Sequence, residues 1–338
     1  MKRGRPARGG SALIVALWTL LLLTLLLGSL AFDMHVEAAV ASFRRRRVRA
    51  ELLATSGVAY ARWMLARRER LPEEWVPEEM EEEVYLRLRR LRKNLPLRAL
   101  TVPMGGRDAI RLTIEPENAR RNVNALDADD WYEMLYRAGV PEEEWDGLIA
   151  CFQDWIDPDE DHRLLGAESD DPWYEERGYR VRNGPVETVA ELAMIKGFTR
   201  ELLYGGPSPY VEGETLRGIA AWLTTRGDGR VHANAADRDV LLTIPGLADA
   251  DADAIIEAAK GPDGEPGTED DGFADATAFA AATGIADPVV WERLTFENER
   301  FFRVTSVGVA DGVEHAVRAV LRATAGSVAP VEWIEGAW

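Results

Sequence analysis

The sequence predicts an α+β fold: a long N-terminal helix, a set of antiparallel strands, and a large all-α domain inserted between them. Three observations predict it. A charge-free apolar stretch runs from Ser11 to Phe32, and Ala, Val, Leu, Arg and Glu then continue to Arg68 without a Pro. Strand-like alternation occupies Leu97–Val102 and Ala109–Ile114, and it returns only at Arg300–Val309 and His315–Ala323. Between these two regions, from Asn118 to about Phe279, the pattern is helical with Gly- and Asp-rich breaks.

The N-terminal helix follows from length and placement. A membrane span needs about 20 apolar residues, whereas the apolar core of a cleaved signal needs about 7–15. The block from Ala12 to Gly28 fits the former, and no charged residue appears until Asp33. A helix from Ser11 to Arg68 is roughly 87 Å long, so only its first third sits in lipid. Pro72–Pro77 ends it, because Pro lacks a donor and clashes with the preceding turn. Two other readings compete: an ordinary signal anchor, and a signal cleaved after Ala39-Val-Ala41, leaving a chain that begins near Ser42. Lys2, Arg3, Arg5 and Arg8 favour a cytoplasmic N-terminus, while Arg44–Arg47 and Arg49 beyond the span pull the other way.

The strands come next. Met104-Gly-Gly-Arg-Asp108 separates two alternating runs and predicts a hairpin, and Asp311-Gly312 predicts a second turn near the end of the chain. Composition limits the rest. The chain has 338 residues and a net charge of −18, with 58 acidic against 40 basic side chains, so its body repels phosphates and attracts cations. Its single cysteine, Cys151, excludes an intrachain disulfide and shares a helical face with Leu148, Phe152 and Trp155, which predicts a buried core thiol. No phosphate-loop, nucleophile-elbow, dinucleotide or His-Glu-x-x-His motif is present, and the four histidines are scattered, so no enzymatic activity is expected.

Within the helical block, Leu192-x-x-Ile195-Lys-Gly197-Phe198 echoes Leu241-x-x-Ile244-Pro-Gly246-Leu247. Each predicts two short helices joined at a Gly that adopts positive φ. Such hairpins can hold DNA phosphates on backbone N–H groups, and a membrane-anchored DNA-binding protein of a competence or pilus system is the alternative function. Asp249, Asp251 and Asp253 follow the second turn and would repel phosphate, so no nucleic acid partner is expected.

One stretch carries site chemistry. In Asp157-Pro-Asp159-Glu-Asp161-His-Arg-Leu-Leu-Gly-Ala-Glu168 the acids fall at positions 1, 3, 5 and 12 of a twelve-residue loop, the spacing with which EF-hands wrap Ca2+. His162 stands where an EF-hand has Gly. The run from Asp263 to Gly272 is expected to be a flexible acidic loop.

The leader Met1–Gly10 and the helix behind it resemble type IV pilin-like proteins, in which a prepilin peptidase cuts after a Gly, here between Gly10 and Ser11. Most of that family has Glu at the fifth mature position, where this chain has Val15. K-type minor pseudopilins of type II secretion lack the Glu and read Gly-x-Ala-Leu-hydrophobic, as Gly10-Ser-Ala-Leu-Ile14 does. They also resemble this chain at Asp154-Trp-Ile-Asp157-Pro-Asp159 and at Gly166-Ala-Glu168-Ser-Asp170-Asp171, where Ser169 interrupts the family's acid pair.

The resemblance implies a pilin-like helix packed on an antiparallel sheet. It also implies structural Ca2+ on Asp157, Asp159 and Glu168, with Asp161 and Asp171 second in rank. The partners implied are the I- and J-type minor pseudopilins at the tip of a pseudopilus. The location implied is the inner membrane, with one span, the N-terminus cytoplasmic and the bulk of the chain periplasmic. The implied organisation is a leader at 1–10, a transmembrane and stalk helix at 11–71, the first half of the pilin-like part at 72–117, the inserted domain with its calcium loop at 118–290, and completing strands at 291–338.

Overall fold

In a computed structural model, residues 10–76, 78, 80–324 and 326–336 are described. Residues 1–9 of the expected leader, and the side chain of Ser11 at the expected cut after Gly10, lie outside that description. Helix α1 runs from Gly10 to Arg68. It is the one helix among the described residues long and apolar enough to cross a membrane. Its side chains from Leu13 to Leu30 are exposed in the isolated chain, which suits a lipid or protein environment rather than water.

From Ala50 onward α1 changes character. Ala50, Ala54, Val58, Ala61 and Leu65 recur at helical spacing and are buried, the stripe that packs against the sheet. That sheet has five antiparallel strands: β1 (Leu97–Gly105), β2 (Asp108–Pro116), β3 (Phe301–Ala310), β4 (Val313–Thr324) and β5 (Ser327–Glu335). They lie in the order β1-β2-β3-β4-β5, a plain meander interrupted only between β2 and β3. Period-two burial explains each face: Ile110, Leu112 and Ile114 point inward from β2, and Phe302, Val304 and Ser306 from β3. The expected hairpin and C-terminal turn fall where the strand register places them, and β5 is a fifth strand that the sequence reading did not separate.

A second helix, α2 (Glu82–Arg92), was also not anticipated. Tyr85, Leu88 and Leu91, one turn apart, are its buried face and the signal that could have found it. Arg68 ends α1 beneath it. Its guanidinium donates to the carbonyls of Leu91 and Glu299 at 3.1 and 2.9 Å, and lies 4.3 Å from the centre of the Phe302 ring.

Residues 117–300 leave and rejoin the sheet at adjacent positions, since Pro116 pairs with Phe302. They build their own core around Trp131, Leu135, Phe152, Trp155 and Phe198, distinct from the core under the sheet. The helices are α3 (Ala128–Ala138), α4 (Glu142–Ile156), α5 (Pro172–Arg177), α6 (Arg200–Tyr204), α7 (Arg238–Leu241), α8 (Asp249–Ala258), α9 (Ala276–Thr283) and α10 (Pro288–Arg293). Most are short, joined by 3-10 turns and by two-residue strand pairs, so the insert is less regular than the helical pattern predicted.

Ion pairs close the insert on itself. Buried Arg121, near its start, reaches Asp130 at 2.5 Å, and Arg293, near its end, reaches Asp127 and Asp130, each at 2.6 Å. A buried carboxylate, Glu117, joins insert to sheet by accepting from Arg303 Nε at 2.8 Å and from the Thr224 hydroxyl.

Helix α1 and strand β3 are in very close backbone contact. A Cβ placed on Gly308 would lie 2.0 Å from the Ala50 carbonyl oxygen and 2.5 Å from the Ala54 nitrogen. Gly308→Val is therefore expected to destabilise the chain by about 3 kcal/mol or more, the cost of overpacking against backbone that cannot yield. Gly147→Ala, where a Cβ meets nothing within 4 Å, is expected to stabilise α4 by about 0.5–1 kcal/mol. Thermal melts of the two full-length variants in detergent micelles check both signs.

Candidate metal centre

Helix α4 ends at Ile156, and the acidic loop begins at its C-terminus. The last turn of a helix presents unpaired carbonyls and the negative end of its dipole, a poor place for carboxylates. Asp154 and Asp157 both stand there, on one face at i and i+3. The chain then doubles back through Leu165, at a φ of +69°, and Gly166, and brings Glu168 beside them. One oxygen from each of Asp154, Asp157 and Glu168 lies within 4.8 Å of the others. Gly166 permits the return, because a Cβ there would lie 2.0 Å from Asp154 Oδ2.

Two of these acids are fully buried, Asp154 and Glu168 both being 0% exposed. Arg163 answers part of the charge. Its Nη1 donates to Asp154 Oδ1 at 2.8 Å and to Asp157 Oδ2, and its backbone N–H donates to Asp154 Oδ2 at 3.3 Å. Nothing answers Glu168: both its oxygens, and Asp157 Oδ1, are buried without a hydrogen-bond partner. Burial first, and then the charges of Asp154 and Asp157, push its carboxyl up to about 7. Buried unpaired carboxylate oxygens are costly, and three such groups with oxygens converging on one point are the donor set of a hard cation. The residues present fit Ca2+.

The expected ligands divide. Asp157 and Glu168, positions 1 and 12 of the loop, come together. Asp159 and Asp161 do not join them: both are exposed, and Asp159 Oδ1 accepts from the Asp161 N–H at 3.0 Å. Asp171 is occupied elsewhere, capping α5 through the Trp173 N–H at 2.8 Å and pairing with Lys196 at 2.7 Å. Asp154 takes a place in the group that sequence reasoning had not assigned to it, although its helix-turn spacing from Asp157 was visible. The loop rests on an aromatic wall in which Trp155, Tyr174 and Tyr179 lie within 6.3 Å of one another, centre to centre. Buried Cys151 stands behind it, its thiol pushed up to about 11 by burial, as suits a core residue.

The two expected hairpins contain their glycines in left-handed conformation, Gly197 at φ +89° and Gly246 at φ +88°. At the second, Arg238 is held by Asp249 and Asp253, both at 2.6 Å, so acids and not free cations line the start of α8.

Residues 94–211 match the family model described as type II secretion system (T2SS), protein K. That segment contains α3–α6 and the whole acid group. The fold is similar to a chain in the crystal structure of the GspK-GspI-GspJ complex of the enterotoxigenic Escherichia coli type 2 secretion system. The TM-score is 0.58 at 14% identity, over 88% of this chain and 99% of that one. No curated protein matches the chain.

Between the ordinary carboxyl value of 4.5 and about 7, folded Glu168 holds a proton that the unfolded chain has lost. Stability of the chelator-treated protein is thus expected to be fully present below pH 4.5, to fall as pH rises to about 7, and to level off above it. The loss is at most about 3 kcal/mol. Glu168→Gln should flatten this slope, and denaturant titrations across pH 4–8 measure it.

Proposed function

We propose, from the premise that this chain belongs to the type II secretion protein K family, that it assembles as the capping or initiating subunit of a pseudopilus. It is a minor pseudopilin, a structural component of a secretion system. The observation that carries the finer reading is the disposition of bulk along α1. The first half of the helix is bare and apolar, suited to lie in a membrane or among parallel helices. The distal half carries the sheet, and the sheet carries an insert spanning residues 117–300. A domain of that size is not accommodated inside a helical fibre and belongs at its end.

On this reading the chain is anchored in the inner membrane by one span, with the sheet and insert periplasmic, after a prepilin peptidase cuts between Gly10 and Ser11. Its neighbours are I- and J-type minor pseudopilins, the companions named in the similar solved complex. Val15, where most type IV pilin-like proteins have Glu, removes a charge that would otherwise seek the amine of a preceding subunit, and a leading subunit has none ahead of it. Ca2+ held by Asp154, Asp157 and Glu168 supplies positive charge to a buried acidic group and fixes the loop after α4. It supports shape and not catalysis.

The mature chain, extracted from membranes, is expected to begin at Ser11 by N-terminal sequencing and intact mass, and to co-purify with I- and J-type subunits. A chain that keeps its leader, or that elutes alone when both subunits are present, overturns the tip-assembly reading.

A further inference from the structure

The acid group contains a built-in cation, and its geometry assigns that cation a role beside a metal. When all three are ionised, as binding a cation requires, Asp154, Asp157 and Glu168 carry three negative charges. Arg163 touches one oxygen of Asp157 and, through its side chain, one of Asp154, leaving a net charge of −2. The oxygens it leaves are informative. Asp157 Oδ1 and both Glu168 oxygens are buried and have no partner, and Asp154 Oδ2 has only the long backbone contact at 3.3 Å. A guanidinium standing in for the missing ion would be expected to reach toward Glu168, the least satisfied of the three. Instead its side-chain hydrogen bonds go to Asp154 and Asp157, and it makes none to Glu168.

We propose that Arg163 is a permanent member of the site: it holds Asp154 and Asp157 by one oxygen each, and sets the charge of the remaining oxygens to match a divalent ion. This inference rests on the cation-binding reading above. Arg163 is a positioning and specificity-determining residue, not a ligand. One guanidinium plus one divalent ion neutralises three carboxylates. A trivalent ion in the same place leaves an excess positive charge beside the guanidinium, and a monovalent ion leaves a buried negative charge. Of the other charged groups nearby, His162 pairs with Asp170 at 2.6 Å and Lys196 pairs with Asp171 at 2.7 Å, and Glu160, which also acts on Glu168, is exposed and stands outside this count.

The test compares Ca2+ with Tb3+, an ion of similar size and one more charge. The full-length protein in detergent micelles is titrated with Tb3+ by luminescence and with Ca2+ by displacement. Wild type, Arg163→Gln and Arg163→Lys are compared, and Glu168→Gln defines the signal of this site. If Arg163 stays beside the bound ion, Arg163→Gln raises the ratio Kd(Ca2+)/Kd(Tb3+) about tenfold or more, since a unit charge a few ångströms away acts more strongly on the trivalent ion. Arg163→Lys, which keeps the charge, stays near the wild-type ratio. If the ion displaces Arg163, its removal tightens both ions by the same factor and leaves the ratio unchanged, which overturns the proposal while leaving the metal site intact. A wild-type chain that binds neither ion removes the cation-binding reading, and this inference with it.

Discussion

The contact of α1 with β3 is the constraint on which the rest of the molecule depends. Helix backbone and strand backbone approach so closely that neither Gly308 nor Gly57 can carry a side chain. A Cβ on Gly57 would lie 2.1 Å from the Ser306 hydroxyl. Dispersion contacts between backbones fix the rotation of the helix against the sheet, because only the small-residue face of α1 fits. That leaves the opposite face, and the whole apolar first half, turned away from the chain's own sheet. The same helix thus serves two environments. The division falls near Ala50, where exposed arginines give way to buried alanines.

The sheet's topology then decides where a large insert can go. Strands β2 and β3 are neighbours, so the insert departs after Pro116 and returns before Phe302 with no strand displaced. A domain attached by two adjacent strands would be free to swing, yet several buried polar groups oppose this. Glu117 links Arg303 to Thr224, Arg68 reaches the Glu299 carbonyl, and Asn94 Nδ2 lies 3.2 Å from His232 Nε2. Each satisfies a group that would otherwise be costly to bury, so these contacts favour one orientation more than they add net stability.

Much of this was legible in the sequence, and the exceptions have physical causes. Apolar length marked α1, and period-two alternation marked the strands, since both patterns are imposed by burial along an element. Helix α2 was hidden because Tyr85, Leu88 and Leu91 are diluted among six charged residues of an eleven-residue segment. The insert's irregularity was hidden because its helices are held by long-range ion pairs such as Arg293 with Asp127, which no local window contains. Strand β5 was missed because Val328 and Val331 stand three apart, so period-two alternation breaks where the register of its pairing with β4 shifts.

The acidic loop is the instructive case. Spacing picked out Asp157 and Glu168, which the fold brings together, but by a template whose path the chain does not follow. An EF-hand loop turns at a Gly in its sixth position, and His162 stands there instead. The turn in this chain comes later, at Leu165 and Gly166, so Asp159 and Asp161 stay on the outer side of the loop. The vacant inner position is filled from the helix behind, by Asp154. A better sequence signal was electrostatic: Asp154 in the last turn of α4 and Asp157 just past it oppose the helix dipole, and a fold that tolerates them must supply positive charge close by. Arg163 supplies one unit. The buried, unpartnered oxygens of Glu168 indicate that the fold leaves room for more.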